Sequence, residues 1–197
     1  MLRPVAPLAL LLLSSLPAAA QPLVLTVLPE SSEIHFTLGA TLHTVHGTAR
    51  IASGEVQLDP AAGTASGRVV VDARSLATGN ASRDKNLHQD VLESGRFPEI
   101  VLEVQGFDGP IAPSGTSRVA LKGVLSIHGA SHPVSYPVEL SLEEGKVEAH
   151  SRFKLPFVAW GMKDPSAFVL RVDKEAEVEV KLVATLKPDP SLSKNSP

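Results

Sequence analysis

The segment Ala176–Leu186 reads AEVEVKLVATL and alternates apolar with polar side chains over most of its length. Its even-numbered residues are all aliphatic, and Glu177, Glu179 and Lys181 lie between them. A period of two places these two sets on opposite faces of a β-strand, with one face buried and the other exposed to water. The segment therefore predicts a strand in a sheet that has one covered face.

The same alternation recurs along the chain and predicts further strands. Apolar residues occupy one face of Ile34–Leu38, Val69–Ala73, Ile100–Val104, Val119–Ile127, Val134–Leu142 and Val147–Leu155. A short leading strand, Leu23–Leu28, and one long or bulged strand, Leu42–Leu58, bring the total to eight or nine. Closing such a sheet on itself removes its exposed edges. The predicted fold class is therefore all-β, an eight-stranded antiparallel barrel.

Residues 78–100, TGNASRDKNLHQDVLESGRFPEI, break this period and predict one short helix over residues 82–93. Leu87 and Val91 lie one turn apart and give the helix only a narrow apolar stripe. A helix with so little apolar surface is marginal alone and needs a surface to pack on. We expect it to cap the cavity at one end of the barrel.

The start of this helix is rich in polar residues. Asn80 or Ser82 can cap it, and Asp84 lies in the first turn, where the helix dipole favours an anion, while Gly95 can end the helix. Two interpretations are possible for Asp84 and the neighbouring Arg83. Either the two hold the helix to a neighbouring strand, or they meet a ligand head group at a cavity mouth, as a guanidinium can do for phosphate.

Residues 1–20 have the features of a secretory signal peptide. Arg3 supplies a positive start, Leu8–Leu16 an apolar stretch, and Ala18–Ala20 a cleavage site before Gln21. The apolar stretch is shorter than the roughly 20 residues that a membrane span needs. We expect a periplasmic or secreted protein, without stable membrane insertion.

The composition excludes several kinds of functional site and of binding partner. The chain has no cysteine, which excludes disulfides, thiolate metal sites and cysteine nucleophiles. The net charge of −3 becomes −4 once Arg3 is removed, so nothing indicates nucleic acid as a partner. Residues 21–187 suit a single barrel domain, and the tail 188–197, rich in Pro, Ser and Lys, is predicted to be disordered.

The histidines form two pairs with spacings found in metal sites, but neither pair predicts a metal centre. His43 and His46 are three apart, which places them on opposite faces of a strand. His128 and His132 flank a predicted hairpin turn, so both are expected to be exposed. Zinc needs three or four convergent ligands, and the sequence has no G-x-S-x-G nucleophile elbow. We predict no metal, no cofactor and no catalytic site.

Large apolar residues cluster where the alternation loosens after Pro156. Phe153, Phe157, Trp160 and Met162 could be ordinary core or a lip around a cavity, and the pattern leaves both open. Periodicity likewise fits a solid or a hollow barrel. Only 4% of the residues are aromatic, which favours a hollow interior because few side chains are large enough to fill it.

Several blocks of sequence, in order, resemble the YceI family of exported bacterial lipid-binding proteins. They are SEIHFTL, LHTVHG, SGEVQLD, VDARSL, TGNASRD, VLESGRFPEI and GVLSIHGASHPV. The similarity runs from about Val27 to Ala184. The chain departs from the family where many members carry a histidine shortly after the Arg-Asp pair, since it has Lys85-Asn86-Leu87 there.

The resemblance implies a lipocalin-like barrel with an elongated apolar cavity that binds a polyisoprenoid or another long-chain amphiphile. It implies no enzyme activity. The residues predicted to line the cavity are Ile34, Phe36, Val45, Val71, Leu87, Val91, Leu121, Leu125, Phe153 and Val180. Those predicted at its mouth are His43, Asn80, Arg83, Asp84 and Trp160.

Two other functions stay open at this point. The same barrel could be packed solid and present its loops to a partner in the cell envelope, or it could be a periplasmic enzyme. The identity of the lipid and the oligomeric state, a homodimer included, are open as well.

Overall fold

The computed structural model describes residues 22–41, 43–60, 62–166 and 171–189. The predicted signal peptide lies outside these residues, as does the predicted tail from residue 190 onward. None of the helices in the described part of the chain is long and apolar enough to cross a membrane.

Nine β-strands make up most of the described chain. They are β1 (Leu23–Val27), β2 (Glu33–Gly39), β3 (Thr44–Asp59), β4 (Thr64–Ala77), β5 (Glu99–Asp108), β6 (Gly115–Ile127), β7 (Ala130–Glu143), β8 (Lys146–Leu155) and β9 (Ala176–Pro188). A 3-10 turn, Pro29–Ser31, separates β1 from β2. β9 thus includes Pro188, the first residue of the predicted tail.

All strand pairings are antiparallel, and they close the sheet into a barrel. β3 to β9 pair in chain order, and β9 then pairs with both β1 and β2. β1 and β2 also both pair with β3, so they share one position in the sheet on either side of the 3-10 turn. The barrel therefore has eight strand positions, which confirms the predicted fold class.

A β-bulge changes which residues of β3 face the interior. Val45, Ala49 and Ile51 face inward before the bulge, and Val56 faces inward after it. A bulge adds one residue to one strand, so the inward positions shift from odd to even numbers. The long strand predicted from Leu42 to Leu58 is accordingly one bulged strand, and its predicted first residue lies outside the described chain.

The predicted helix is present and begins one residue earlier than expected. α1 spans Ala81–Asn86, and the side-chain oxygen of Asn80 accepts a hydrogen bond from the Arg83 N–H at 3.1 Å. Of the two predicted caps, Asn80 is thus the one used, because its extended backbone leaves the side chain free to reach the first turn.

A π-helical turn, Leu87–Val91, continues α1. The Leu92 N–H donates to the carbonyl of Leu87, five residues earlier, at 2.8 Å. This wider turn lets Leu87, Val91 and Leu92 all line the barrel interior. The π turn therefore widens the narrow apolar stripe that the sequence predicted.

The helical segment ends at Val91, two residues before the predicted end, and Gly95 does not terminate it as predicted. The Ser94 N–H already bonds back to the His88 carbonyl at 3.1 Å, and Glu93 adopts a left-handed φ of 46°. The chain has reversed at Glu93, so Gly95 is not needed for the reversal.

The β6–β7 turn holds the chain that follows the helix. His128 and Gly129 form a two-residue turn with φ of 52° and 75°, as type I′ hairpins require. His128 is not exposed as predicted, because its Nε2 lies 3.2 Å from Glu93 Oε1 and its ring meets the Phe97 ring at 5.1 Å. These contacts fix the end of the helical segment to the barrel.

We predict that Gly129 is required for this contact. A Cβ at Gly129 would lie 2.5 Å from Phe97 Cε1, whereas Gly63, with a similar φ of 69°, has nothing within 4 Å. Both alanine substitutions strain the backbone, but only Gly129→Ala also creates a clash. It should lower the free energy of unfolding by about 1–3 kcal/mol more than Gly63→Ala. Urea denaturation measures both, and equal losses would contradict the packing of Phe97 on this turn.

Candidate functional site

The barrel encloses a connected cavity of about 760 Å³. Side chains from all eight strand positions and from the helical segment line it. Its volume lies within the roughly 300–1,000 Å³ typical of ligand pockets. The interior is therefore hollow, a question that the strand pattern had left open.

The wall of the cavity is almost entirely hydrocarbon. All ten residues predicted to line it do so: Ile34, Phe36, Val45, Val71, Leu87, Val91, Leu121, Leu125, Phe153 and Val180. Contact between these residues and a ligand stays a prediction. Lining residues that were not named as candidates include Leu102, Val104, Leu140, Leu155 and Leu182. The same alternation that selected the ten already placed these five on inward faces.

The end of the barrel away from the helix is packed shut. Val56, Leu58, Ala65 and Val104 form a buried cluster there. Partly buried residues complete it: Leu23, Leu25, Val69, Leu102, Phe107, Ile111 and Leu121. The lining residues in this cluster are all at least partly buried. No lining residue of this cluster is exposed to solvent, and we call this the blind end of the cavity.

The cavity opens at the helix end. The lining residues that are also solvent-exposed are His43, Asn80, Ser82, Asn86 and Pro165. A residue that both lines the cavity and contacts solvent marks where the two meet. The mouth therefore lies between the start of α1, the β2–β3 connection and the chain that follows β8.

Arg83 lines the mouth and is held by Thr78. Its Nε donates to Thr78 Oγ1 at 2.7 Å, and its Nη2 donates to the Thr78 carbonyl at 3.1 Å. Thr78 itself also lines the cavity. Arg83 therefore anchors the chain that follows β4, as the first interpretation predicts, and it also lies at the cavity mouth. Its contact with a head group stays a prediction.

Asp84 does not line the cavity, contrary to the prediction. Its Oδ1 accepts hydrogen bonds from both the backbone N–H and the hydroxyl of Thr78. The hydrogen bond from the Thr78 hydroxyl is the main reason that the pKa of Asp84 is below its ordinary value. The carboxylate faces the chain before α1, so Asp84 anchors the helix.

Trp160 does not line the cavity either. Its ring stacks on His132 with centroids 4.1 Å apart and planes 5° from parallel. His132 is therefore partly buried, which corrects the prediction that it is exposed. The stacking holds the indole against His132 of β7 and outside the cavity, and the sequence gave no signal for this partner.

Apolar side chains from the chain after β8 pack against the helical segment and complete this end of the barrel. Phe157 and Met162 are buried in one cluster with Val91, Leu92 and Ile127. Lys163 Nζ also lies 3.2 Å from Asp90 Oδ2 of the π turn. Of the cluster that the sequence left as core or lip, Phe157 and Met162 are thus core, and both also line the cavity.

The histidines do not converge on a metal site in the described chain. His43 lines the cavity, and His46 points away from it towards Thr37 Oγ1, 3.3 Å from its Nδ1. The two therefore point to different sides, although His43 lies just before β3 and not within it as the spacing argument assumed. Among the described residues, no group of three or more His, Asp and Glu side chains could hold a metal ion.

A serine–histidine contact that sequence reasoning missed lies under the helical segment. His88 Nδ1 is 2.9 Å from Ser94 Oγ, and His88 Nε2 is 2.9 Å from the Leu76 carbonyl. Ser94 is only 4% exposed, and neither side chain lines the cavity. The pair therefore ties the helical segment to β4.

Tyr136 differs from the other residues of the cavity wall because it carries a buried hydroxyl without a partner among the described residues. The alternation of residues along β7 did not predict this. The Tyr136 ring stacks on Phe153 with centroids 3.8 Å apart. Its hydroxyl is buried and has no hydrogen-bond partner among the described residues. Burial raises its pKa to about 12, so the phenol stays neutral well above physiological pH.

The sequence profile of the YceI-like domain matches residues 25–184 of this chain. The chain belongs to the YceI-like family. The match covers the barrel from β1 to β9, including the helical segment and the mouth. No curated protein matches the sequence.

Solved structures of YceI-like and related proteins share the fold. Burkholderia cenocepacia BcnA is 18% identical with a TM-score of 0.68, over 81% of this chain and 99% of BcnA. A polyisoprenoid-binding domain from Saccharophagus degradans, implicated in plant cell wall breakdown, is 16% identical with a TM-score of 0.65, over 83% and 98%. The Campylobacter jejuni YceI protein is 17% identical with a TM-score of 0.53, over 71% and 80%.

We predict that Tyr136→Phe will not destabilise this YceI-like barrel at neutral pH. A buried hydroxyl without a partner costs about 1–3 kcal/mol, so its removal should be neutral or stabilising. The raised pKa favours the neutral phenol in the folded state. The stability of the folded state that depends on the neutral phenol is fully present below pH 10 and is lost as the pH rises towards about 12.

The sequence contains only one tyrosine, so its ultraviolet absorbance reports this ionisation directly. Wild-type protein should lose stability across this alkaline range, and Tyr136→Phe should lose less. A phenol that ionises near its ordinary pKa in the folded protein would contradict its burial.

Proposed function

We propose that this protein binds one long-chain lipid of the polyisoprenoid type inside the barrel and carries or stores it. The observation that carries the proposal is a cavity with a hydrocarbon wall, one blind end and one mouth with polar side chains. Such a cavity suits a molecule with a long apolar chain and a single polar end. The proposal includes no catalytic step.

The comparisons support this proposal at the level of the family. The chain belongs to the YceI-like family, and a protein of the same fold is a polyisoprenoid-binding domain. The lining residues run from the Val56–Val104 cluster to the helical segment, which suits a chain that lies lengthwise in the barrel. A solid-core interaction protein would have no connected interior volume, whereas this barrel has about 760 Å³.

Burial of the lipid chain supplies the binding energy. Each methylene moved from water into the hydrocarbon wall contributes about 0.8 kcal/mol. Affinity should therefore rise with chain length until the chain reaches the blind end, and then level off. A wall of this kind selects ligands by length and shape more than by chemistry.

We also propose that the protein acts in the periplasm or outside the cell. The basis is the signal-peptide pattern of residues 1–20. Expressed with these residues, the protein should be recovered from the export compartment with a mass that begins at Gln21. Retention of the full-length mass in the cytoplasm would contradict export.

Native mass spectrometry of the purified protein tests the lipid proposal directly. We expect a discrete long-chain adduct, which organic extraction should release for identification. The same spectrum reports whether the protein is a monomer or a homodimer. Protein without an adduct that also fails to bind added polyprenols and fatty acyl compounds would overturn the proposal.

We predict that Ala149→Phe will shorten the longest chain the barrel can bind. Ala149 lines the cavity on β8, so a phenyl ring there would occupy volume that a chain now uses. Affinity should level off at a shorter chain in a homologous series of prenyl alcohols. His150→Phe is the matched control, because residue 150 is exposed on the same strand and does not line the cavity.

Fluorescence of Trp160, the only tryptophan, can follow both titrations because it packs against a buried cluster whose members line the cavity. An unchanged chain-length limit in folded Ala149→Phe would argue that lipid does not occupy this cavity.

A further inference from the structure

The aromatic side chains that the strands direct into the cavity lie in one row across the barrel wall. Phe36 of β2 pairs with Val178 of β9, and Val178 pairs in turn with Phe153 of β8. The ring of Tyr136 on β7 stacks on Phe153. Among the described strand residues that line the cavity, these three are the only aromatic ones. The largest side chains of the wall are therefore concentrated in this aromatic row.

The aromatic row lies between the mouth and the blind end. β2 ends at Gly39, beside the mouth, and Phe36 lies about 10 Å before that end at about 3.3 Å per residue. β1 continues the same strand position beyond the 3-10 turn, and its Leu23 and Leu25 belong to the cluster at the blind end. A chain that extends from the mouth to the blind end therefore has to pass the aromatic row.

Phe36 lies against the wall because its partner on β3 is a glycine. Phe36 and Gly47 are directly paired across β2 and β3. A Cβ on Gly47 would lie 2.5 Å from Phe36 Cε1 and 2.7 Å from Cε2, much closer than carbon atoms pack. The ring therefore occupies the space that a side chain at position 47 would fill. Gly47 is buried under it and does not itself line the cavity.

Phe36 is the ring of the row whose position depends on a missing side chain. Tyr136 and Phe153 hold each other by stacking, with centroids 3.8 Å apart. Glycine weakens the interior of a strand, and it is found there where another group approaches the backbone closely. Any side chain at position 47 has to push the Phe36 ring away from β3. Because Phe36 faces inward, this displacement carries the ring into the cavity.

We infer that the aromatic row determines how far a lipid chain can enter the barrel, and that Gly47 is the positioning residue that keeps the passage open by holding Phe36 against β3. The inference rests on the proposed function, since it assigns the length selectivity of the same cavity. Phe36 contacts the chain, and Gly47 acts only through Phe36.

The test measures how affinity depends on chain length in the intact protein. Native mass spectrometry gives dissociation constants for geraniol, farnesol, geranylgeraniol and solanesol, which differ only in the length of one prenyl chain. Gly47→Ala should bind geraniol within about twofold of wild type but solanesol about tenfold or more weakly, because the displaced ring keeps methylenes from the wall below the row. The ratio of the two affinities is the readout, since a general loss of stability would not change it.

Three further variants show whether the effect depends on the ring. Phe36→Leu in the Gly47→Ala background should restore the wild-type ratio, because leucine has no ring to displace. Gly106→Ala on β5 is the matched control, since nothing lies within 4 Å of a Cβ there, and it should keep the wild-type ratio. If Gly47→Ala does not fold, Phe36→Trp enlarges the ring beside an intact Gly47 and should lower the same ratio.

The outcomes separate the inference from the proposed function. A wild-type ratio in folded Gly47→Ala, or in Phe36→Trp where that variant replaces it, overturns the inference while lipid binding stays intact. An equal change in Gly106→Ala, or no recovery in the double variant, also overturns it, because the effect would then not depend on Phe36. Failure of the wild-type protein to bind any of the four alcohols would instead overturn the proposed function.

Discussion

Pairing of β9 with both β1 and β2 is the constraint on which the rest of the structure depends. It closes the sheet at eight strand positions, and that number sets an interior just wide enough for side chains or one small ligand. The strand residues that face inward are mostly Val, Leu, Ile and Ala, with Phe36, Tyr136 and Phe153 as aromatic exceptions. Side chains of this size do not meet across the barrel, and a cavity remains.

The two ends of the barrel are closed by different means, and this difference gives the cavity a direction. At the blind end, aliphatic residues of the strands pack together with Phe107 and Ile111. At the other end, a helical segment and the chain after β8 share a buried cluster. Because α1 is capped and anchored by polar groups, its start brings those groups to the mouth. Polarity along the axis therefore follows from how each end is closed.

The sequence predicts the strands and the cavity wall because both depend on a local period of two. The bulge in β3 and the widened turn after Asn86 shift this period, and neither has a sequence signal of comparable strength. The contacts that individual side chains make are harder still to predict from the sequence. Trp160 stacks on His132 and does not line the cavity, and Asp84 accepts a hydrogen bond from Thr78. Contacts between segments distant in sequence, or between turns, decide these two orientations. The orphan hydroxyl of Tyr136 depends on what surrounds it in three dimensions.

The helical segment is fixed at both ends, and this bears on how a lipid enters. Thr78 holds its start through Arg83 and Asp84, and His88 holds its second half to the carbonyl of Leu76. Each of these contacts would have to break for the segment to lift. The exposed lining residues instead mark an opening beside it, towards His43 and Pro165. Under the proposed function, a lipid chain enters there while the segment stays in place, and its polar end lies at the mouth.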